Sequence, residues 1–192
     1  MTLMSSQSAF EAVRDYGLAA EQRSAVRVKL EQWLTEEGYT VKVLDGKTTY
    51  FTLGVEHPTL HMLLTIGQSL AHRDRITILG TLKISEEHKK KLLEMSEGQR
   101  NSFLWDLKFT LVSNNIPFEM PHTGHVSNQS ARAVLLPEQI IVSQAIWYDG
   151  LTKDNFMRQL NQAIKGIILV LLKFEQLSGT SVFKEEYSKY FT

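Results

Sequence analysis

Apolar side chains recur first at helical spacing, then at every second position, then at helical spacing again. These switches divide the chain. Ser8 to Tyr16 carries Ala9, Phe10 and Val13 on one side, which predicts a short helix that Gly17 ends. Glu21 to Glu37 repeats Val26, Leu30, Trp33 and Leu34 at helical intervals, with Gly38 just past the end. Alternation follows. Val41 and Val43 precede the stretch DGKT, and Thr49, Phe51, Leu53 and Val55 come after it at period two. His57-Pro58-Thr59 reads as a turn. Leu60, Met62, Leu64 and Ile66 alternate next, then Ile76, Ile78, Leu82 and Ile84 with Gly80 in the same phase. Four strands with one buried face make an antiparallel meander.

Asp45-Gly46-Lys47-Thr48 resembles the tail of a phosphate-binding loop. That loop needs a glycine five residues before Gly46 and a helix directly after the Lys-Thr pair. Val41 stands at the first position, and a strand pattern follows the second. The stretch therefore reads as a hairpin, with Asp-Gly favouring a two-residue turn of type I′.

Ser85 precedes Glu86 and Glu87, an N-cap with acids in the first turn. Ser96 and Gln99 form a capping box and start a second helix, which runs to Asn114-Asn115. Its stripe is Phe103, Leu104, Leu107 and Leu111. Trp105, Phe109 and Val112 widen it until little of the circumference is polar. A short strand at IPFEM, a loop from Pro121 to Ser130, and strands at Ala133–Leu136 and Gln139–Tyr148 follow. Thr152 caps a long helix that runs to about Leu177 and carries Phe156, Leu160, Ala163, Ile167, Leu171 and Phe174 on one stripe. Met157, Ile164, Ile168, Val170 and Leu172 spread its apolar surface around the axis, so more than one side must be covered. The tail repeats Phe183, Tyr187 and Phe191 at four-residue spacing. The order α-β-β-β-β-α-β-β-α is α+β, an antiparallel sheet packed by helices. The reading is one domain over 1–192, with a core of about 22–177 and short helical additions at 1–20 and 180–192.

Composition narrows the chemistry. The chain of 192 residues is 43% hydrophobic, and its 21 basic side chains equal its 21 acidic ones. A neutral balance makes nucleic acid an unlikely partner. The run His88-Lys89-Lys90-Lys91, with Arg73 and Arg75, is the only footing for such a reading, and a solvated helix face explains the lysines equally. With no cysteine there is no disulfide, thiolate metal site or cysteine nucleophile. The N-terminus lacks a secretory pattern, and Gly166–Phe174 is too short an apolar run to span a bilayer. The expectation is a cytoplasmic protein off the membrane.

No Gly-x-Ser-x-Gly or His-Glu-x-x-His occurs, and no catalytic residue, cofactor or metal ligand set is assigned. His122 and His125, spaced His-x-x-His in the loop, are the nearest approach to a metal pair but lack further ligands. His57 and His61 read as solvated turn residues.

Two stretches, ISEEHKKKLLEMSEGQRNSFLWDLKFTL (Ile84–Leu111) and IWYDGLTKDNFMRQLNQAIKGIILVLLKFE (Ile146–Glu175), resemble an archaeal family of uncharacterised proteins. EQWLTEEGYTVKVL (Glu31–Leu44) fits the family's opening helix and first strand. The resemblance implies a fold similar to type III secretion chaperones, which pair into dimers and hold a partner's extended segment. Those chaperones have three strands before the middle helices, where this chain has four. The resemblance carries no functional residues. With the wide apolar faces of the 96–113 and 152–177 helices, which one domain face cannot easily bury, it favours a non-catalytic, chaperone-like binding module, a homodimer with a protein or peptide partner. Leu104, Trp105, Phe109, Ile168 and Leu172 are its candidate interface residues. Two alternatives stand beside it. One is an enzyme whose site assembles around residues 121–138 from His122, His125, Arg132 and Glu138. The other is a nucleic-acid-binding regulatory domain.

Overall fold

The computed structural model describes residues 6–125 and 134–178, with side-chain surroundings for 21–121 and 136–177. Its elements in chain order are α1 (Ser6–Glu36), β1 (Thr40–Leu44), β2 (Thr49–Glu56), β3 (Leu63–Ser69) and β4 (Arg75–Lys83). Then come α2 (Glu86–Glu94), α3 (Glu97–Ser113), β5 (Phe118–Glu119), β6 (His122–His125), β7 (Val134–Pro137), β8 (Gln139–Trp147) and α4 (Lys153–Ser178). A six-stranded antiparallel sheet has the order β1-β2-β3-β4-β8-β5, and β6 pairs with β7 in a two-stranded ribbon. The fold is α+β. The chain forms two compact units. Of the described residues, the first takes those up to Leu63 and Gly67–Arg73, and the second takes Leu64–Ile66 and those from Asp74 on.

In the first unit α1 is continuous where two helices were expected. Gly17 lies inside it. A glycine within a helix costs about 1 kcal/mol relative to alanine. The following Leu18, Ala19, Ala20, Glu21 and Gln22 all favour helix, so a single glycine does not stop the chain there. Gly38 does end the helix. Its φ of 83° lets the Tyr39 amide reach the Leu34 carbonyl at 2.9 Å and its own amide reach Thr35 at 3.0 Å. That pair of bonds is the Schellman closure, and Tyr39 and Leu34, which it joins, are both buried. Leu30, Trp33 and Leu34 of α1 and Phe51, Leu53 and Val55 of β2 are buried on this unit's inner face. Each side chain of this size contributes roughly 1.5–3 kcal/mol when fully withdrawn from water.

The β1–β2 hairpin forms as expected, but its turn is not the two-residue type. The last ladder pair is Leu44 with Thr52, which leaves seven residues, 45–51, between the paired positions. Gly46 is absent from the positive-φ residues, so type I′ geometry is not used. The register follows Leu53 and Val55, which are fully buried and must face inward, and so overrides the local Asp-Gly preference.

His57 is also corrected. It is buried, and its Nδ1 accepts hydrogen bonds from the Thr59 and Leu60 amides, each at 3.2 Å. Its ring meets Tyr39 edge-on at 5.3 Å. The residue organises its own turn. His61 keeps the exposed position, 3.3 Å from Glu56.

In the second unit β4 and β8 pair along nine positions, from Arg75–Trp147 to Lys83–Gln139. Buried and half-buried side chains alternate along β8, as one covered face requires. The cover is α4. A side chain on Gly166 would stand 2.7 Å from Ile116 and 2.8 Å from Val142, and one on Gly80 would collide with Ile167. These two glycines let the helix and sheet backbones approach closely. Phe156, Leu160, Ala163, Ile164, Ile167 and Ile168 fill the contact.

Residues 122–125 form a strand, with His122 opposite Pro137 and His125 opposite Val134, where a loop was expected. His-Thr-Gly-His lacks the apolar alternation that marks strands, and only the pairing with Val134–Pro137 reveals it. The rest of that loop, with Arg132, and the aromatic tail from Phe183 to Phe191 lie outside the described residues.

Candidate protein-binding surface

The helix α3 begins as its sequence dictates. The Ser96 Oγ accepts from the Gln99 amide at 3.3 Å, and the Gln99 side chain accepts from the Ser96 amide at 3.1 Å. It ends with Asn115 at φ 53° and the Ile116 amide bonded to the Leu111 carbonyl at 3.0 Å, a second Schellman closure.

Between these caps one side of α3 is core and the opposite side is open. Leu107 and Leu111 are fully buried. Phe103 meets Phe174 of α4 edge-on at 5.4 Å, and the Gln162 side chain donates to the Asn114 carbonyl at 2.6 Å. The Lys173 ammonium reaches Asp106 at 2.6 Å. Contacts of residues 114 with 162 and of 103 with 174 make α3 and α4 antiparallel.

Around the axis from Leu107 stand Trp105 and Phe109, each 70% exposed, and Val112, 62% exposed. Their spacing of four and three residues aligns them on one stripe. The Lys108 ammonium lies 5.5 Å from the Trp105 ring centre, a cation–π contact on the rim. Two aromatic side chains of roughly 200 Å² each, largely uncovered, are a sizeable patch for one helix face.

The other expected interface residues divide. Leu104 and Leu172 are half-buried, so they border solvent. Ile168 is completely buried inside the second unit and has no surface to offer a partner. Periodicity marked it as apolar but carried no sign of its cover.

The lysine run is neutralised on its own helix. Lys89 pairs with Glu86 at 2.6 Å, Lys91 with Glu87 at 3.2 Å and Lys90 with Glu94 at 3.9 Å. Arg75 lies 3.9 Å from Asp74 and 5.6 Å from the Trp147 ring centre. These are features of a solvated helix face and a sheet end rather than a phosphate-tracking stripe. Among the described residues no three His, Asp or Glu side chains converge as a metal site, and no helix is long and apolar enough to cross a membrane. The side chains of His122 and His125 lie outside the described ones, and Glu138 is exposed.

One feature the sequence reading missed is a cleft of about 400 Å³ in the first unit, between α1 and the β1–β2 turn. Arg23 and Arg27 line it, and the Arg23 guanidinium stacks 3.7 Å above the Tyr50 ring centre. The signal available was two arginines four apart on a helix that precedes an exposed hairpin.

Architecture and surface together describe an α+β protein with a six-stranded antiparallel sheet and a helix, α3, that keeps an exposed apolar side. The chain belongs to the family described as "Uncharacterized conserved protein (DUF2299)", whose model matches residues 26–174. A crystal structure of an uncharacterized protein from Methanothermobacter thermautotrophicus is similar, with a TM-score of 0.67 and 24% identity. The match covers 78% of this chain and 96% of that one and concerns the fold alone. No curated protein matches the sequence.

Proposed function

We propose that the protein is a non-catalytic, chaperone-like binding module of the cytoplasm, akin to type III secretion chaperones, that works as a homodimer. The reading rests on the exposed stripe Trp105–Phe109–Val112, opposite the buried Leu107–Leu111 stripe of the same helix. A monomer gains nothing from keeping two aromatic side chains in water on a well-capped helix. A second copy of the same helix fits the stripe. Antiparallel pairing about a two-fold axis near Phe109 sets each Trp105 against the partner subunit's Val112, large against small. A stable dimer buries about 800 Å² per partner, so the stripe forms the centre of the interface and half-buried Leu104 belongs to its flank. The chaperone-like part of the reading draws on the element order, helix, strands, helices, strands and helix. Two protomers so joined present paired surfaces to a protein or peptide client.

Phe109→Glu separates this reading from a purely structural one. The side chain is exposed, so the variant keeps its circular dichroism spectrum and melting temperature at concentrations where the parent is monomeric. The parent shows a dimer in native mass spectra over a concentration series, and the variant loses it. A parent that stays monomeric throughout, or a variant that dimerises equally, defeats the proposal.

A further inference from the structure

The cleft between α1 and the β1–β2 turn has two unlike walls. Arg23, Ser24 and Arg27 form the helical one, and Val43, Leu44 and Phe51 bring apolar surface to the other. Among the described residues Val43 is 55% exposed, although it pairs with buried Leu53 on the inner face. Tyr50 fixes the charged wall. Its ring lies under the Arg23 guanidinium at 3.7 Å and is also approached by Arg73 at 6.0 Å. Stacking occupies the flat face of a guanidinium and leaves its N–H edge available. Among the described residues no carboxylate pairs with Arg23, whereas Arg27 is 3.5 Å from Glu31. Asp45 lines the mouth and is exposed, so it is screened by water more than the half-buried arginines are. Gly46 keeps the turn thin. A side chain there would collide with Thr49 and stand 3.1 Å from the Thr52 hydroxyl.

We propose that this cleft binds a carboxylate carried on a small apolar body. The carboxylate meets the forked donors of Arg23, with Arg27 as second cation, and the apolar body lies on Val43 and Phe51, which share one face of the hairpin. A planar, two-oxygen anion matches the fork better than a tetrahedral one. The volume suits a single acylated amino acid or the carboxyl end of a peptide, which share this chemistry. No residue of α3 lines the cleft.

The test is a titration of the full-length protein, followed by amide chemical shifts, with N-acetyl-leucine, its primary amide and inorganic phosphate. The acid is expected to shift Gly46, Thr49 and Tyr50 to saturation. The amide binds at least about tenfold more weakly, because it lacks the charge that strengthens the hydrogen bonds from the guanidinium. Phosphate does not saturate over the same range. Arg23→Gln weakens the acid about tenfold or more, Arg23→Lys gives an intermediate loss, and Phe109→Glu changes nothing. A tetrapeptide with a free leucine carboxyl end that binds more tightly than N-acetyl-leucine identifies a chain end, and weaker binding identifies a small acid. Equal binding of acid and amide overturns the proposal, as does an acid titration that leaves those amides unmoved. So does an Arg23→Gln protein, folded by its spectrum, that binds the acid as the parent does.

Discussion

The helices α3 and α4 look alike in sequence and end in different surroundings. Each carries apolar residues well beyond a single stripe. In α4 most of the extra residues are covered: Ile164, Ile168 and Val170 are buried along with Phe156, Leu160 and Ile167, and Met157 and Leu172 are half-buried. In α3 the extra residues are bare: Trp105, Phe109 and Val112 face water while Leu107 and Leu111 face the core. The difference lies in the backbones. Gly80 and Gly166 allow α4 to lie close on the sheet, with Ile167 against Gly80 of β4 and Val142 of β8 against Gly166. Among the described residues α3 meets α4 through Phe103, Asp106 and Asn114 and the end of α2 through Arg100, which donates to the Leu92 carbonyl, and none of these contacts involves Trp105, Phe109 or Val112. An apolar residue signals that it needs cover, and only the neighbouring backbone decides whether the same chain supplies it.

The largest effect expected from this contrast is Ile168→Asp. It places a carboxylate at a fully buried position, where Lys165 one turn earlier is only half-buried, and a loss of about 4–5 kcal/mol or outright failure to fold follows. Urea unfolding of the purified variant reads this directly. A midpoint within error of the parent would mean that α4 is not packed as described.

A matched pair within α3 comes next. Leu107→Ala removes a fully buried side chain and costs about 2–5 kcal/mol. Phe109→Ala removes a larger but exposed one and changes monomer stability by less than about 0.5 kcal/mol. The same chemistry two residues apart thus differs several-fold, measured by denaturant midpoints at a protein concentration below dimer formation. Similar losses at the two positions would erase the distinction between the sides of the helix.

How much of this was legible in the sequence depends on the range of the interaction. Caps were legible because they are local: Ser96 and Gln99 are three residues apart, and Gly38 follows directly on its helix. The four early strands and the α4 stripe were legible from periodicity. Gly17 misled because a glycine signal is a preference that strong helix formers on its far side override. The Asp45-Gly46 turn misled because register is set by buried residues further along β2. His57 looked solvated because its partners are backbone amides, which every residue has and no side-chain pattern announces. The strand at His122–His125 needed Val134–Pro137 opposite it, and the Arg23–Tyr50 stack joins residues from a helix and a strand. For the α3 surface the residues Trp105 and Phe109 were visible as apolar, while the exposure that makes them notable is a tertiary property.

The smallest expected effect tests how far the cover over α4 extends toward its C-terminal end. Glu175 lies three residues before the helix end, half-buried, with Oε1 shielded from water and without a hydrogen-bond partner. Desolvation pushes its pKa above the ordinary carboxylate range. The folded protein therefore holds this proton more tightly than the unfolded chain does. Stability is undiminished by the group below its unfolded pKa, falls as pH rises through the folded pKa, and stays lower above it. Glu175→Gln removes the titration, so it raises stability at neutral pH by a few tenths of a kcal/mol and makes no such gain in acid. Denaturant unfolding of both proteins at pH 7 and again below the carboxylate range measures the difference. A gain that is equal at both pH values would assign the effect to packing or helix propensity and place Glu175 in water, with the bare α3 stripe rather than with the covered body of α4.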